Sequence, residues 1–102
     1  KAKYVIHAAT MEEPAQPSNI KAIKKATLAA LKKASELKIS SIAFPGMGTG
    51  VGGVPKTKAA QAMIETIKNF LDQSTIKEII LIAYNQEMFE AFEDAIKKID
   101  GG

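Results

Sequence analysis

Residues 76–84, IKEIILIAY, contain the unbroken run Ile79-Ile80-Leu81-Ile82-Ala83. An apolar run of this length without alternation reads as a strand buried on both faces, and such strands belong to parallel sheets. Parallel strands cannot be joined by tight turns, so the rest of the chain has to provide crossover segments. Two further runs are strand-like. Residues 3–9, KYVIHAA, are rich in β-branched and aromatic side chains, and the Pro-containing loop MEEPAQPSN follows them. Ser41 to Phe44 is a short apolar run ending at Pro45.

The segments between these runs have helical periodicity. Ser18 or Asn19 is placed to cap a helix in which Ile20, Ile23, Thr27, Leu28, Leu31, Ala34 and Leu37 recur every three or four residues. Pro55 is a favoured first helical residue, and Ala59, Ala62, Met63, Thr66, Ile67 and Phe70 form the stripe that follows it. Asn85 can cap a last helix with Met88, Phe89, Phe92, Ile96 and Ile99 on its inner side. Its acids, Glu87, Glu90, Glu93 and Asp94, precede Lys97 and Lys98, which suits the helix dipole. The order β-α-β-α-β-α predicts an α/β fold, a three-layer α/β/α arrangement around a mainly parallel sheet. With no internal repeat and no linker, residues 1–102 read as one domain or part of one.

At 102 residues, 46% hydrophobic and 25% charged, the chain has the size and composition of one modest globular domain. No stretch approaches the roughly 18 consecutive apolar residues of a membrane span, and the apolar run near Lys1 is too short for a signal peptide. Without cysteine there is no disulfide framework and no thiolate metal site, so an intracellular, cytoplasmic setting is the expectation. The net charge is +3 and every basic residue is lysine. Arginine is the usual side chain for bidentate reading of guanine or phosphate, so its absence disfavours nucleic acid as a partner. Lys21, Lys24, Lys25, Lys32, Lys33 and Lys38 then read as a solvated helix face, with a polyanion-binding surface as the alternative. A lysine-rich chain without arginine also suits a heat-adapted protein.

In open parallel sheets, ligands bind beyond the carboxyl ends of the strands, here His7–Thr10, Gly46–Val54 and Tyr84–Gln86. Five of the seven glycines (Gly46, Gly48, Gly50, Gly52 and Gly53) fall in the second of these segments. Glycine admits close approach to the backbone, and successive amides ahead of a helix N-terminus make a nest for an anion, phosphate above all. Gly48 to Gly53 formally matches G-x-G-x-x-G, but Pro55 starts the helix after all the glycines, and the next strand ends Ala83-Tyr84-Asn85 with no acid for a ribose. A Walker pattern fails as well, because Val54 and Pro55 displace Lys56 and Thr57 by two residues.

The runs KYVIHA, SIAFPGMGTGVGGVP and IILIAYNQEMFEAF, in this order and spacing, resemble the later part of a macro domain, the ADP-ribose-binding module. The resemblance covers roughly residues 3–99. It implies that the backbone of Thr49–Gly53 wraps the diphosphate and distal ribose, with Gly50, Val51 and Gly52 closest and a hydroxyl donor from Thr49. Gly48 and Pro45 flank that loop; Tyr84 matches a position whose ring packs against adenine, with Asn85 beside it. The ligand implied is ADP-ribose or an ADP-ribosylated protein; no cofactor is expected, and one histidine with scattered acids does not make a metal site. Some family members hydrolyse ADP-ribosyl groups or process ADP-ribose 1″-phosphate.

The same resemblance exposes what this sequence lacks. The earlier half of the family pattern supplies an acid for adenine, an Asn-Ala-Ala-Asn-like strand end and a second glycine loop, and none of these occurs here. The strand carrying that asparagine lies, in the family, between the strands matching residues 3–9 and 41–44. A chain without it reads as truncated relative to the family pattern. Three outcomes are open: it is a fragment of a longer protein, its strands re-pair, or a second copy or complementing chain fills the gap. No catalytic constellation is visible, so whether the chain is an enzyme stays open. His7, inside an apolar strand, reads as a hydrogen-bonded structural histidine, and Glu12 and Glu13 lie in the loop after it.

Overall fold

The computed structural model describes residues 2–9, 19–46, 54–72 and 74–101. The elements are β1 (Lys3–Ala8), α1 (Ile20–Glu36), β2 (Ser41–Pro45), α2 (Lys56–Leu71), β3 (Glu78–Ala83) and α3 (Gln86–Gly101), in the expected order. Both β1 and β2 pair with β3, in parallel, so the sheet order is β1-β3-β2. There is no gap between the first two strands. The strands re-pair, with β3 between them, which satisfies backbone groups on both sides of β3 that would be costly to leave unpaired.

The helix ends follow local chemistry. Asn19 is extended (φ −135°, ψ 174°) and its side chain accepts from the Ala22 N–H at 2.8 Å, capping α1. Alanine, leucine and lysine then carry the helix without a breaker. It ends in a Schellman motif: the Lys38 N–H donates to the Ser35 carbonyl at 3.0 Å and the Ile39 N–H to the Ala34 carbonyl at 2.9 Å. Lys38 takes the left-handed position, at φ 55°. Pro55 is the N-cap of α2 and not its first helical residue, because its ψ of 140° is extended; its carbonyl accepts from the Ala59 N–H at 3.0 Å.

α1 packs on α2 and α2 on α3, while α3 also contacts β1 and β3. Helices on opposite faces of a sheet cannot touch, so these three form one layer. Register shows which side of the sheet they cover. Tyr4 and Ile42 align with Ile79, Ile6 and Phe44 with Leu81, and Ala8 with Ala83. Ile79, Leu81, Ala83 and Phe44 are all buried on this face, under Met63, Ile67, Met88 and Phe92. Each such large side chain contributes about 1.5–3 kcal/mol on burial. The one buried polar residue among those described, Thr27, donates its hydroxyl to the Ile23 carbonyl at 2.8 Å.

The opposite face carries Val5, Ile80, Ile82, Ala43 and Pro45. Ile80 and Ile82 are only partly buried, and Ala43 is exposed. The expectation that β3 is buried on both faces is therefore corrected: its burial alternates. The α/β class and the parallel sheet are as expected, and the described residues provide the sheet with one of its helical layers.

Candidate functional site

Because all three strands are parallel, their carboxyl ends lie together. Ala8 aligns with Ala83, the Ala9 N–H donates to the Ala83 carbonyl at 2.8 Å, and Pro45 aligns with Ile82. The ends of β1 and β2 thus flank the end of β3, the arrangement in which a parallel sheet presents a ligand crevice. The Gly46 N–H donates to the Ile82 carbonyl at 2.9 Å, which fixes the point where the glycine-rich segment leaves the sheet. Gly46 is buried, and a Cβ built there would lie 3.2 Å from Met88 Cγ. The segment returns at Val54, which packs on the core, and Pro55, which opens α2.

Of the expected ligand residues, Pro45, Tyr84 and Asn85 are described, while Gly48, Thr49, Gly50, Val51, Gly52 and Gly53 lie outside the described residues. Pro45 and Tyr84 are partly buried, at the ends of neighbouring strands β2 and β3. Asn85 is exposed, but its Oδ1 accepts from the Met88 N–H at 2.8 Å, and its backbone carbonyl accepts from the Phe89 N–H at 3.1 Å. It is the cap of α3, and its Nδ2 group and the second lone pair of Oδ1 are left for a ligand. His7 is exposed on the open face of the edge strand β1, where the sequence suggested a structural histidine within an apolar strand. Glu12 and Glu13 lie outside the described residues.

Electrostatics around the base of the loop are mixed. The N-terminal ends of α2 and α3 both follow strand ends, so their positive dipole ends favour an anion. A depression of about 450 Å³ beside Pro55, Lys56 and Thr57 is lined on its α3 side by Glu87, Glu90 and Asp94, which oppose one. These charges disfavour an anion on the α3 side of Pro55–Thr57. Among the described residues, no cluster of histidine and carboxylates can hold a metal. No helix among them is long and apolar enough to cross a membrane.

One grouping was only half visible in the sequence. Lys21, Lys24, Lys25 and Lys32 of α1 line a groove of about 620 Å³ with Leu28, and α2 closes it with Glu65, Thr66, Asn69 and Phe70. The lysine spacing was legible, but the wall from α2 depends on tertiary packing.

The family model described as Macro domain matches residues 1–63. An uncharacterized protein of Aquifex aeolicus is 50% identical over 96 residues, covering 94% of this chain and 58% of that relative. A macro domain-containing protein of Caldanaerobacter subterraneus is 31% identical over 101 residues, covering 98% of this chain and 58% of its own length. The chain thus spans little more than half the length of these relatives. Among solved structures, the Oceanobacillus iheyensis macrodomain with ADP superposes with a TM-score of 0.73 at 24% identity, over 80% of this chain and 43% of that one. A mutant of the same macrodomain with ADPR gives a TM-score of 0.74 at 24% identity, over 81% and 45%. The Trypanosoma brucei macrodomain in complex with ADP gives 0.71 at 18% identity, over 78% and 35%.

Proposed function

The chain belongs to the macro domain family, and from that membership we propose that it is the later part of a domain that binds ADP-ribose or an ADP-ribosyl group. The observation that carries this reading is the meeting of the ends of β1, β2 and β3, from which the glycine-rich segment and Tyr84 both leave. Solved macrodomains of the same fold hold ADP or ADPR, which supports the ligand class. In this reading the backbone from Gly48 to Gly53 cradles the diphosphate, Thr49 adds a hydroxyl, Val51 lies against the distal ribose, and Tyr84 packs on adenine. Pro45 and Asn85 border the crevice. Hydrolysis of ADP-ribosyl groups or of ADP-ribose 1″-phosphate is proposed only for a longer domain that includes the earlier half.

The test is calorimetric titration of the chain with ADP-ribose, AMP and inorganic phosphate. Preferential heat with ADP-ribose is expected, weakened at least about tenfold by Gly50→Glu, since a carboxylate in the nest repels the diphosphate. A folded chain with no response to ADP-ribose, or with unchanged affinity in Gly50→Glu, overturns the assignment.

A second reading rests on the groove between α1 and α2, where four lysines and one glutamate surround Leu28 and Phe70. A polyanion whose charges follow the lysines and whose flat groups lie on the apolar floor fits it. Binding of this kind falls steeply with salt and shows little preference for ADP-ribose. Titration of a DNA duplex at two salt concentrations separates the readings.

A further inference from the structure

The groove between α1 and α2 selects its occupant by shape as well as by charge. Lys21, Lys25, Leu28 and Lys32 are spaced by four, three and four residues, so they form one stripe along α1, with Lys24 beside it. From Lys21 to Lys32 the stripe is about 16 Å long, roughly three helical turns. A different stripe, Ile23, Thr27, Leu31 and Ala34, is buried and holds α1 on α2. The sequence periodicity puts Leu28 with those buried residues. In the fold it is only partly buried and is not among the side chains packed on the core. It lies instead in the middle of the lysine stripe, where it shares the groove with Phe70 of α2.

An apolar centre inside a charged rim is the anatomy of a protein–protein interface, with anchors at the centre and charges setting orientation at the edge. Two further features favour a polypeptide over a nucleic acid. Leu28 offers an aliphatic surface, whereas bases stack on aromatic rings and on arginine, and the chain has no arginine. Glu65, on the α2 wall, repels a phosphate backbone but can pair with a basic side chain. Shape points the same way. Packed helices about 8–10 Å apart leave a channel between them in which a third helix rests at the same spacing.

We propose that this groove is a docking site for an acidic amphipathic helix of a partner protein. That helix is about three turns long, to match the lysine stripe. Its carboxylates face Lys21, Lys24, Lys25 and Lys32, apolar side chains three and four residues apart sit on Leu28 and Phe70, and one basic residue faces Glu65. The acid-rich helix of this chain, α3, does not meet that description in a second copy. Its acids Glu87, Glu90, Glu93 and Asp94 are exposed, but Met88 and Phe92 are buried in its own core and leave no anchor facing outward. This inference is independent of the ADP-ribose assignment, and it narrows the polyanion of the second reading to a polypeptide.

The probe is a synthetic peptide of roughly 15 residues, long enough for marginal helicity. It is built from glutamate and alanine around a stripe of leucines three and four residues apart, with one lysine. A scrambled peptide of the same composition keeps the charge and loses the stripe. Fluorescence anisotropy with the 102-residue chain is expected to show the amphipathic peptide binding at least about tenfold more tightly than the scrambled one. Circular dichroism is expected to show the peptide gaining helix on binding. Leu28→Glu should weaken binding at least about tenfold through an acid at the centre of the groove, while the urea midpoint of the chain is held, because Leu28 is outside the core. Lys24→Glu with Lys25→Glu should weaken the acidic peptide and be rescued by a peptide whose central glutamates are replaced by lysines, a rescue that an unfolded chain cannot give. Equal binding of the amphipathic and scrambled peptides, or binding of neither, overturns the docking site. So does tighter binding of a DNA duplex than of the amphipathic peptide at physiological salt, which leaves the second reading standing with nucleic acid as the occupant. Self-association of the chain that Leu28→Glu removes also overturns it, because the groove then belongs to a second copy.

Discussion

Gly46 and Met88 fit against each other at the base of the glycine-rich segment, and a Cβ at residue 46 would meet Met88 Cγ at 3.2 Å and Cε at 3.3 Å. The contact ties the end of β2 to the first turn of α3. Gly46→Ala forces the buried Met88 side chain to give way, at an expected cost of about 1 kcal/mol, and Gly46→Val costs more. Pairing Gly46→Ala with Met88→Ala should recover part of the loss beyond additivity, which a double-mutant cycle in urea measures.

Asn85 caps α3 through its Oδ1 bond to the Met88 N–H. Asn85→Ala should destabilise the chain by about 1 kcal/mol in chemical denaturation. Asn85→Asp keeps the acceptor and should retain that stability. If Asn85 also meets the diphosphate, the aspartate will lower affinity for ADP-ribose while the unfolding midpoint is held, which separates the two roles.

Lys38 completes the Schellman motif in a left-handed conformation that costs a side-chain-bearing residue roughly 1 kcal/mol. Lys38→Gly relieves that cost, and part of the gain is offset by the freer unfolded chain. A net stabilisation of up to about 1 kcal/mol is expected, with Lys38→Val shifting the thermal midpoint the opposite way.

The two faces of β3 should respond unequally. Leu81, fully buried under the helices, should lose about 3–5 kcal/mol on truncation to alanine. Ile80, one residue earlier and only partly buried, should lose about 1 kcal/mol. Comparable losses in urea unfolding would show that the open face is packed in solution.

Helices were legible because their signals are local. The three- and four-residue stripes placed Ile23, Leu31, Met63, Ile67 and Phe92 in the core, where they are. Asn19 and Asn85 were readable as caps from residue type and position. Ala60, Ile64, Ala91 and Ala95 are buried just outside those stripes, since helices packed on two neighbours bury a wider arc. The face of β3 was misjudged because an unbroken Ile/Leu run reports hydrophobicity and not what covers it. Pairing of β1 with β3 was not legible, since register depends on partners 75 positions apart, Lys3 with Glu78. The glycine run was visible as a candidate anion nest, while the mixed charge beside it arises from α3, folded back against Lys56 and Thr57.

The position of β3 also has a consequence for how the chain is made. Among the described strands it is the last in sequence, and both of the others pair with it. Among the described strands β1 and β2 have no pairing with each other, so these ladders cannot close until residues near Ala83 are in place. Pairing between the described strands thus closes long stretches of chain, which slows folding. For that interval the two unpaired strands are the segments most exposed to chaperones and to one another.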